Sequence, residues 1–139
     1  MQMENFINVT VNEVSSEYGN SIFLIKIYTV IFNRIKQDSI DPFNISEVSS
    51  CLCVSERTLY RRLKEQGLTY FRIKDEIRKK YSVHLLSSQK YTVKELSELL
   101  FFSSSSSFIE SFKRWHGYTP KKWNTINNSS INSLSRVER

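Results

Sequence analysis

The sequence predicts an all-α protein of about seven helices, arranged as two helix-turn-helix subdomains joined by a long linking helix. Three observations predict it. The first is an internal echo. Val48-Ser49-Ser50-Cys51-Leu52-Cys53-Val54-Ser55 precedes Leu59 and Leu63, and roughly fifty residues later Leu96-Ser97-Glu98-Leu99-Leu100-Phe101-Phe102-Ser103 precedes Phe108 and Phe112. Each stretch runs from an apolar residue through a small one, a short gap, an apolar triplet and a Ser. Each then enters a helix with two apolar residues four apart. A helix crossed closely by another needs a small residue at the crossing, and the Ser after the turn accepts from the orphan N–H groups that start the second helix. The second observation is apolar spacing of three and four in several other segments. The third is a set of cap residues at the ends of those segments.

The elements follow in chain order. Residues 1–20 are polar with scattered Val and Ile and read as a weakly ordered arm. Ile22 to Ile35 reads as a first helix, with Phe23, Ile27, Val30, Ile31 and Ile35 on one side and Lys26, Asn33 and Arg34 on the other. Its many β-branched residues keep a strand open as the competing reading. Asn44-Ile45-Ser46-Glu47 resembles a capping box and starts a short helix to about Leu52. Ser55 caps a helix to about Glu65, which Gly67 stops by reaching φ > 0. Thr69 caps a long helix to about Gln89, with Ile73, Ile77, Tyr81 and Leu85 along one face. Thr92-Val93-Lys94-Glu95 is a second capping box, opening a helix to about Leu100. Ser103 or Ser104 opens a helix to about Trp115. The five serines at 103–107 read either as a flexible linker or as a helix start, and the phased Phe108 and Phe112 favour the helix. Gly117 ends it. Thr119-Pro120 then places a cap before Pro at the first position of a short helix with Lys121, Lys122 and Trp123. The Ser- and Asn-rich end reads as a disordered tail. The subdomains are thus 21–67 and 91–125, the linking helix 68–90, the arm 1–20 and the tail 126–139.

At 139 residues the chain is one domain or two very small ones. It has 3 Gly, 2 Pro and no Ala, so its helices depend on packing and caps more than on intrinsic propensity. The net charge of +6 makes a polyanion such as nucleic acid the economical partner. Cys51 and Cys53 have no further Cys to complete a thiolate metal site, and His84 and His116 have no ligand-like spacing. No metal and no cofactor are expected, and the two cysteines read as buried apolar residues inside the motif's turn. No nucleophile–base pair, carboxylate pair or phosphate-cradling Gly loop is visible, so no enzyme is expected. The apolar run Ser21 to Phe32 is broken by Lys26 and too short to span a bilayer. A cytoplasmic location is expected.

Val54-Ser55-Glu56-Arg57-Thr58-Leu59-Tyr60-Arg61-Arg62-Leu63, then Gly67 and Asp75-Glu76-Ile77-Arg78, resembles the DNA-binding domain of AraC/XylS-type transcription regulators. Phe102-Ser103-Ser104, Phe108, Phe112-Lys113-Arg114-Trp115 and Gly117-Tyr118-Thr119-Pro120 resemble that family's C-terminal signature. The resemblance covers roughly residues 22–124. It implies seven helices in two helix-turn-helix units, binding to double-stranded promoter DNA and transcription regulation, here as an activator with RNA polymerase as a further partner. Many members carry an upstream effector-binding domain; this chain has no room for one and resembles the small stand-alone members or a C-terminal half. Three positions depart from the family pattern. Cys53 and Phe101 stand where Gly is common, which predicts about 1 kcal/mol of strain and differently wound turns. Glu110 stands where a basic residue is common.

On the first recognition helix Leu59 and Leu63 face inward, and Arg57, Tyr60, Arg61 and Lys64 share the other face. Arg can contact guanine O6 and N7 in a bidentate manner. The resemblance implies base or phosphate contact for Arg57, Tyr60 and Arg61. A solvated face with an Arg61–Glu65 pair is the competing reading. The second recognition helix offers Ser105, Ser106, Ile109, Glu110 and Lys113. Ile109 suits a thymine methyl and Glu110 a cytosine amine, although Glu110 also repels phosphates. Ser104, Lys113 and the Lys121-Lys122 pair read as backbone contacts, so the first unit is expected to do most of the sequence reading. Arg78-Lys79-Lys80 reads equally as a solvated face or a phosphate contact, and Trp115 and Trp123 as core. A linking helix of roughly 28 Å against a duplex repeat of about 34 Å suits reading of two successive major grooves. A rival reading is an interaction module on the same fold, which self-associates through residues 22–35 or titrates a related regulator and binds DNA weakly.

Overall fold

The computed structural model describes residues 2–19 and 21–137, with side chains for 3–19 and 21–128. Eight helices and no strand occur among the described residues. They are α1 (Gln2–Glu17), α2 (Ile22–Lys36), α3 (Ile45–Cys51), α4 (Glu56–Glu65), α5 (Tyr70–Ser87), α6 (Val93–Leu99), α7 (Ser105–His116) and α8 (Pro120–Val137). None is long and apolar enough to cross a membrane. The chain divides into two compact units, Met1–Glu76 and Ile77–Arg139, so that α5 contributes to both.

In the first unit α2 is helical, which resolves the competition with a strand. Ser21 caps it by accepting from the Leu24 N–H. Its buried residues are Leu24, Ile27, Tyr28, Ile31, Phe32 and Ile35. That stripe is rotated from the expected one, because Phe23 and Val30 are only half-buried. The rotation has a visible cause. The segment expected as a weakly ordered arm is α1, and α1 lies on α2. Phe6 meets Phe32 edge-on at 5.7 Å, Thr10 and Val14 are buried, and Glu4 pairs with Lys36. Phe6, Thr10 and Val14 repeat at steps of four, a stripe too thin among Asn and Glu to announce a helix without its partner.

Arg34 fixes the entry to α3. Its guanidinium donates to the carbonyls of Asp41 (2.9 Å) and Pro42 (3.2 Å) and pairs with the Glu47 carboxylate. Asn44 caps α3 by accepting from the Glu47 N–H at 3.1 Å. The Tyr70 hydroxyl donates to the Phe43 carbonyl at 2.7 Å, and burial pushes that phenol's pKa up.

The turn between α3 and α4 recurs in the second unit between α6 and α7. Ser49 and Ser97 are both buried, and each donates its hydroxyl to the carbonyl three residues back, Ser46 at 2.9 Å and Lys94 at 2.7 Å. The Cys53 N–H donates to Ser50 and the Val54 N–H to Ser49; the Phe101 N–H donates to Glu98 and the Phe102 N–H to Ser97. Cys53 and Phe101 have φ of 57° and 62°. The departures from Gly therefore do not rewind the turns, which keep the left-handed residue and accept its strain. The caps differ by one position. Ser55 accepts from the Thr58 N–H and Ser104 from the Ser107 N–H, both at 3.1 Å. Ser103 is thus one residue extra in the second turn.

The second turn has a brace from α5. Arg78 of α5 donates to the Phe101 carbonyl and lies over the Phe102 ring, 4.2 Å from its centroid. Phe102 in turn touches Phe108 (5.6 Å between centroids) and Trp115 (6.2 Å). Phe108 and Phe112 are fully buried, as Leu59 and Leu63 are in the first unit. Ile73, Ile77, Tyr81 and Leu85 of α5 are buried, as their spacing predicts. Trp115 and Trp123, expected in the core, are half-buried. The helix expected to stop soon after Trp123 is longer. α8 starts with Thr119 accepting from the Lys122 N–H and continues through the predicted tail to Val137. A 2.6 Å bond from Gln89 to Asn128 holds α8 inside that segment. Residues 138–139 of the predicted tail lie outside the described residues.

Two consequences are measurable. Cys53 is exposed and left-handed, so glycine there removes strain without removing packing. Cys53→Gly is expected to raise unfolding free energy by about 1 kcal/mol, read from the denaturant midpoint. Burial holds the imidazoles of His84 and His116 below the ordinary histidine range, and the Lys79 charge adds to the effect at His116. The folded state then binds fewer protons than the unfolded chain. Stability is complete above the unfolded value of about 6.5 and falls as pH drops through it. Melting temperature is expected to fall between pH 7 and 5.5, less so in a His84→Gln/His116→Gln variant.

Candidate nucleic-acid interface

A helix that follows a tight turn is a rigid probe only if its N-terminus is anchored. In α4 the anchor is Ser55, and the inward side is Leu59 and Leu63, both fully buried. At 100° per residue the outward side is then Arg57, Tyr60, Arg61 and Lys64. All four are exposed, and Tyr60 keeps 50% of its surface in solvent. The structure thus brings together on one face of α4 the four residues singled out there.

The competing Arg61–Glu65 pair is present at 3.8 Å, with both side chains about two-thirds exposed. An ion pair so wet contributes little and leaves the guanidinium available. Arg62 and Gln66 sit on the flank and hold the helix in place. Arg62 lies over the Phe23 ring at 5.2 Å, and Gln66 donates to the Ser21 hydroxyl at 3.1 Å. They anchor α4 to the start of α2, a role the residue pattern of α4 by itself does not mark.

On α7 the inward residues are Phe108 and Phe112. Ser106, Glu110 and Lys113 are exposed, and Ile109 is half-buried. Ser105 is half-buried, its hydroxyl 3.4 Å from that of Ser97 on α6, so it is turned toward the turn. Ser104 is exposed but engaged, accepting from the Ser107 N–H and donating to the Ser107 hydroxyl. Lys121 and Lys122 are exposed on the first turn of α8. Of the residues singled out on α7, Lys113 carries an ammonium and Glu110 a carboxylate, against three cations among the four on α4; Arg114 is a further exposed cation of α7.

The basic run on α5 also separates by role. Arg78 is half-buried and engaged with Phe101 and Phe102, which settles it as a brace of the second turn. Lys79 and Lys80 are half-buried. The cysteines expected inside the turn are exposed. Val48 and Ser49 fill the crossing instead, and Leu52 is half-buried between the two thiol-bearing residues. Among the described residues no group of three or more His, Cys, Asp or Glu side chains could hold a metal ion.

Comparison with known proteins agrees with this geometry. The helix-turn-helix domain family matches residues 48–125, more than half of the chain. The transcriptional regulator AdiY of Escherichia coli K12 is 33% identical over 94 residues, which is 68% of this chain and 36% of AdiY. The transcriptional activator PerA of Escherichia coli O127:H6 is 31% identical over 124 residues, 88% of this chain and 43% of PerA. The chain thus spans well under half the length of these relatives. A solved DNA-binding transcriptional dual regulator from Escherichia coli K-12 superposes with a TM-score of 0.69, covering 77% of this chain and 93% of that one, at 22% identity, a likeness of fold. The twin turns, the capped second helices and the family match lead to one assignment: the chain belongs to the AraC/XylS-type helix-turn-helix family of DNA-binding transcription regulators.

Proposed function

We propose that the chain recognises specific promoter sequences by setting α4 and α7 into two successive major grooves, and that it activates transcription, with RNA polymerase as a second partner. The observation that carries the reading is the outward face of α4, where Arg57, Tyr60, Arg61 and Lys64 stand free of the core behind a capped N-terminus. Arg57 and Arg61 are the candidates for bidentate guanine contacts, with Tyr60 and Lys64 adding base-edge or phosphate contacts. In the second unit Ser106, Ile109 and Lys113 are the groove-facing candidates. Ser104, Lys121 and Lys122 are the phosphate candidates. Ser105 has the smallest part, because its hydroxyl is directed at Ser97. The exposed Glu110 weakens phosphate attraction along α7 unless a cytosine amine lies opposite it. Activation is supported by the kinship with PerA, a transcriptional activator.

Pairing with another regulator through residues 22–35 has narrower support. Six of the apolar residues there are buried within the first unit, and Ile22, 70% exposed, is the main apolar surface left on that segment. Light scattering of the chain together with a gel-shift assay on duplex DNA separates the two readings: a stable dimer that ignores duplex DNA belongs to the second.

Duplexes enriched from a random pool supply the probe for three tests. Footprinting is expected to show protection across two neighbouring major grooves. Arg57→Ala is expected to weaken binding about ten- to a hundredfold, corresponding to roughly 1–3 kcal/mol, and Ser106→Ala to change it little. Equal losses would overturn the ranking of the two units. Affinity is also expected to fall steeply with salt, and Lys121→Ala/Lys122→Ala to flatten that dependence while lowering affinity on all sequences alike.

A further inference from the structure

We propose that Cys51 and Cys53 form a modification site, a dithiol that a hydroperoxide closes into an intrachain disulfide, and that closing it disengages the first recognition helix. The functional consequence rests on the DNA-binding reading above; the chemistry and the local unwinding do not.

The chain's two cysteines are both exposed, and each has the other as its nearest possible disulfide partner in sequence. They bracket Leu52, whose φ of −87° and ψ of −1° are close to helical. Across one helical residue two Cα atoms are about 5.4 Å apart, inside the roughly 4.4–6.8 Å that disulfides span. The Cα spacing therefore permits a disulfide once the two side chains are turned toward each other.

The same geometry makes the closed form incompatible with the turn. The ring that a disulfide closes here runs through the φ and ψ of Leu52 and the φ of Cys53, which the turn holds at −87°, −1° and 57°, and it must bring the Cβ atoms to about 3.8 Å from each other. Closure must rotate the backbone around Leu52 and Cys53. Two hydrogen bonds depend on that backbone, from the Cys53 N–H to Ser50 at 3.0 Å and from the Val54 N–H to Ser49 at 3.1 Å. The next residue, Ser55, is the cap of α4. Losing the two bonds releases the angle at which α4 leaves α3, and with it the placement of Arg57. A ring closed over a single residue is strained and easily reduced, so the change is reversible by thiols.

The chemistry balances. One thiolate attacks the peroxide oxygen, the O–O bond breaks, and a sulfenic acid and an alcohol (or water, from hydrogen peroxide) result. The second thiolate attacks the sulfenic sulfur, the S–S bond forms, and the departing hydroxide takes up a proton as water. The two sulfurs together give up two electrons, and the peroxide takes them.

The test treats the full chain with hydrogen peroxide and reads three quantities. Intact mass is expected to fall by two hydrogens, returning with dithiothreitol, and to stay unchanged by disulfide formation in Cys51→Ser and Cys53→Ser. Amide exchange at Cys53 and Val54 is expected to rise at least tenfold in the oxidised chain. Affinity for the enriched duplex is expected to fall at least tenfold and to recover on reduction, with the serine variants insensitive. Independent oxidation of the two sulfurs to sulfinic acids, or a disulfide that leaves both amides protected, overturns the proposal. A disulfide with lost protection but no effect on a duplex that the reduced chain binds overturns its functional half. Failure of the reduced chain to bind any duplex counts against the DNA reading, and the first two readouts still judge the disulfide.

Discussion

Two backbone turns carry the architecture, and each depends on one residue held left-handed. In that conformation two consecutive N–H groups, those of Cys53 and Val54 or of Phe101 and Phe102, fold back onto the preceding helix. Carbonyls that a helix end leaves without partners are thereby satisfied. The chain then emerges at a set angle, and a serine captures the first free N–H groups of the next helix. Neither turn has glycine at the critical position, so each accepts about 1 kcal/mol of strain. What holds the strain is local: a buried serine hydroxyl returning to its own helix, and a pair of apolar residues four apart locking the second helix from inside.

The units share a backbone plan and differ in chemistry. Leu59 and Leu63 fill the first, and Phe108 and Phe112 the second. The larger rings accompany an aromatic cluster with Phe102 and Trp115, and Arg78 serves as its cationic lid. The first unit instead orders its approach to α3 through Arg34, which gathers two carbonyls and a carboxylate at one guanidinium. Arg34 acts as a multi-donor clamp on irregular backbone, and Arg78 joins one carbonyl bond to a planar stack on a ring, geometries that a lysine point charge does not reproduce. Several of the chain's cations are therefore structural. Net charge overstates what faces a polyanion, and the outward faces of α4 and α7 differ more than their parallel folds suggest.

The absence of alanine and the scarcity of glycine and proline shape how helices are defined. Ser21, Asn44, Ser55, Thr92 and Ser104 each accept from the N–H three residues on, in the first turn of the following helix. A cap contributes on the order of 1 kcal/mol, enough to set where a short helix begins. Burial does the rest, and α1 is the clearest case, since its thin apolar stripe is helical against α2.

The order of residues alone determined the all-helical class, the twin turns, most of the caps and the face of α4 that carries Arg57, Tyr60, Arg61 and Lys64. Those features are local: a period of three to four, a serine at a helix start and an inward pair four apart are satisfied within a dozen residues. Tertiary packing decided the rest. It made residues 2–17 helical through contact with α2, and it rotated the buried stripe of α2 to Leu24, Tyr28 and Phe32. It carried α8 past Asn127, turned Ser105 toward Ser97, committed Arg78 to a turn carbonyl and left Cys51 and Cys53 in solvent. Each of these depends on a partner many residues away or on the exact winding of a turn. A linear pattern shows which side chains are apolar or charged, and only the assembled chain shows which partner each one meets.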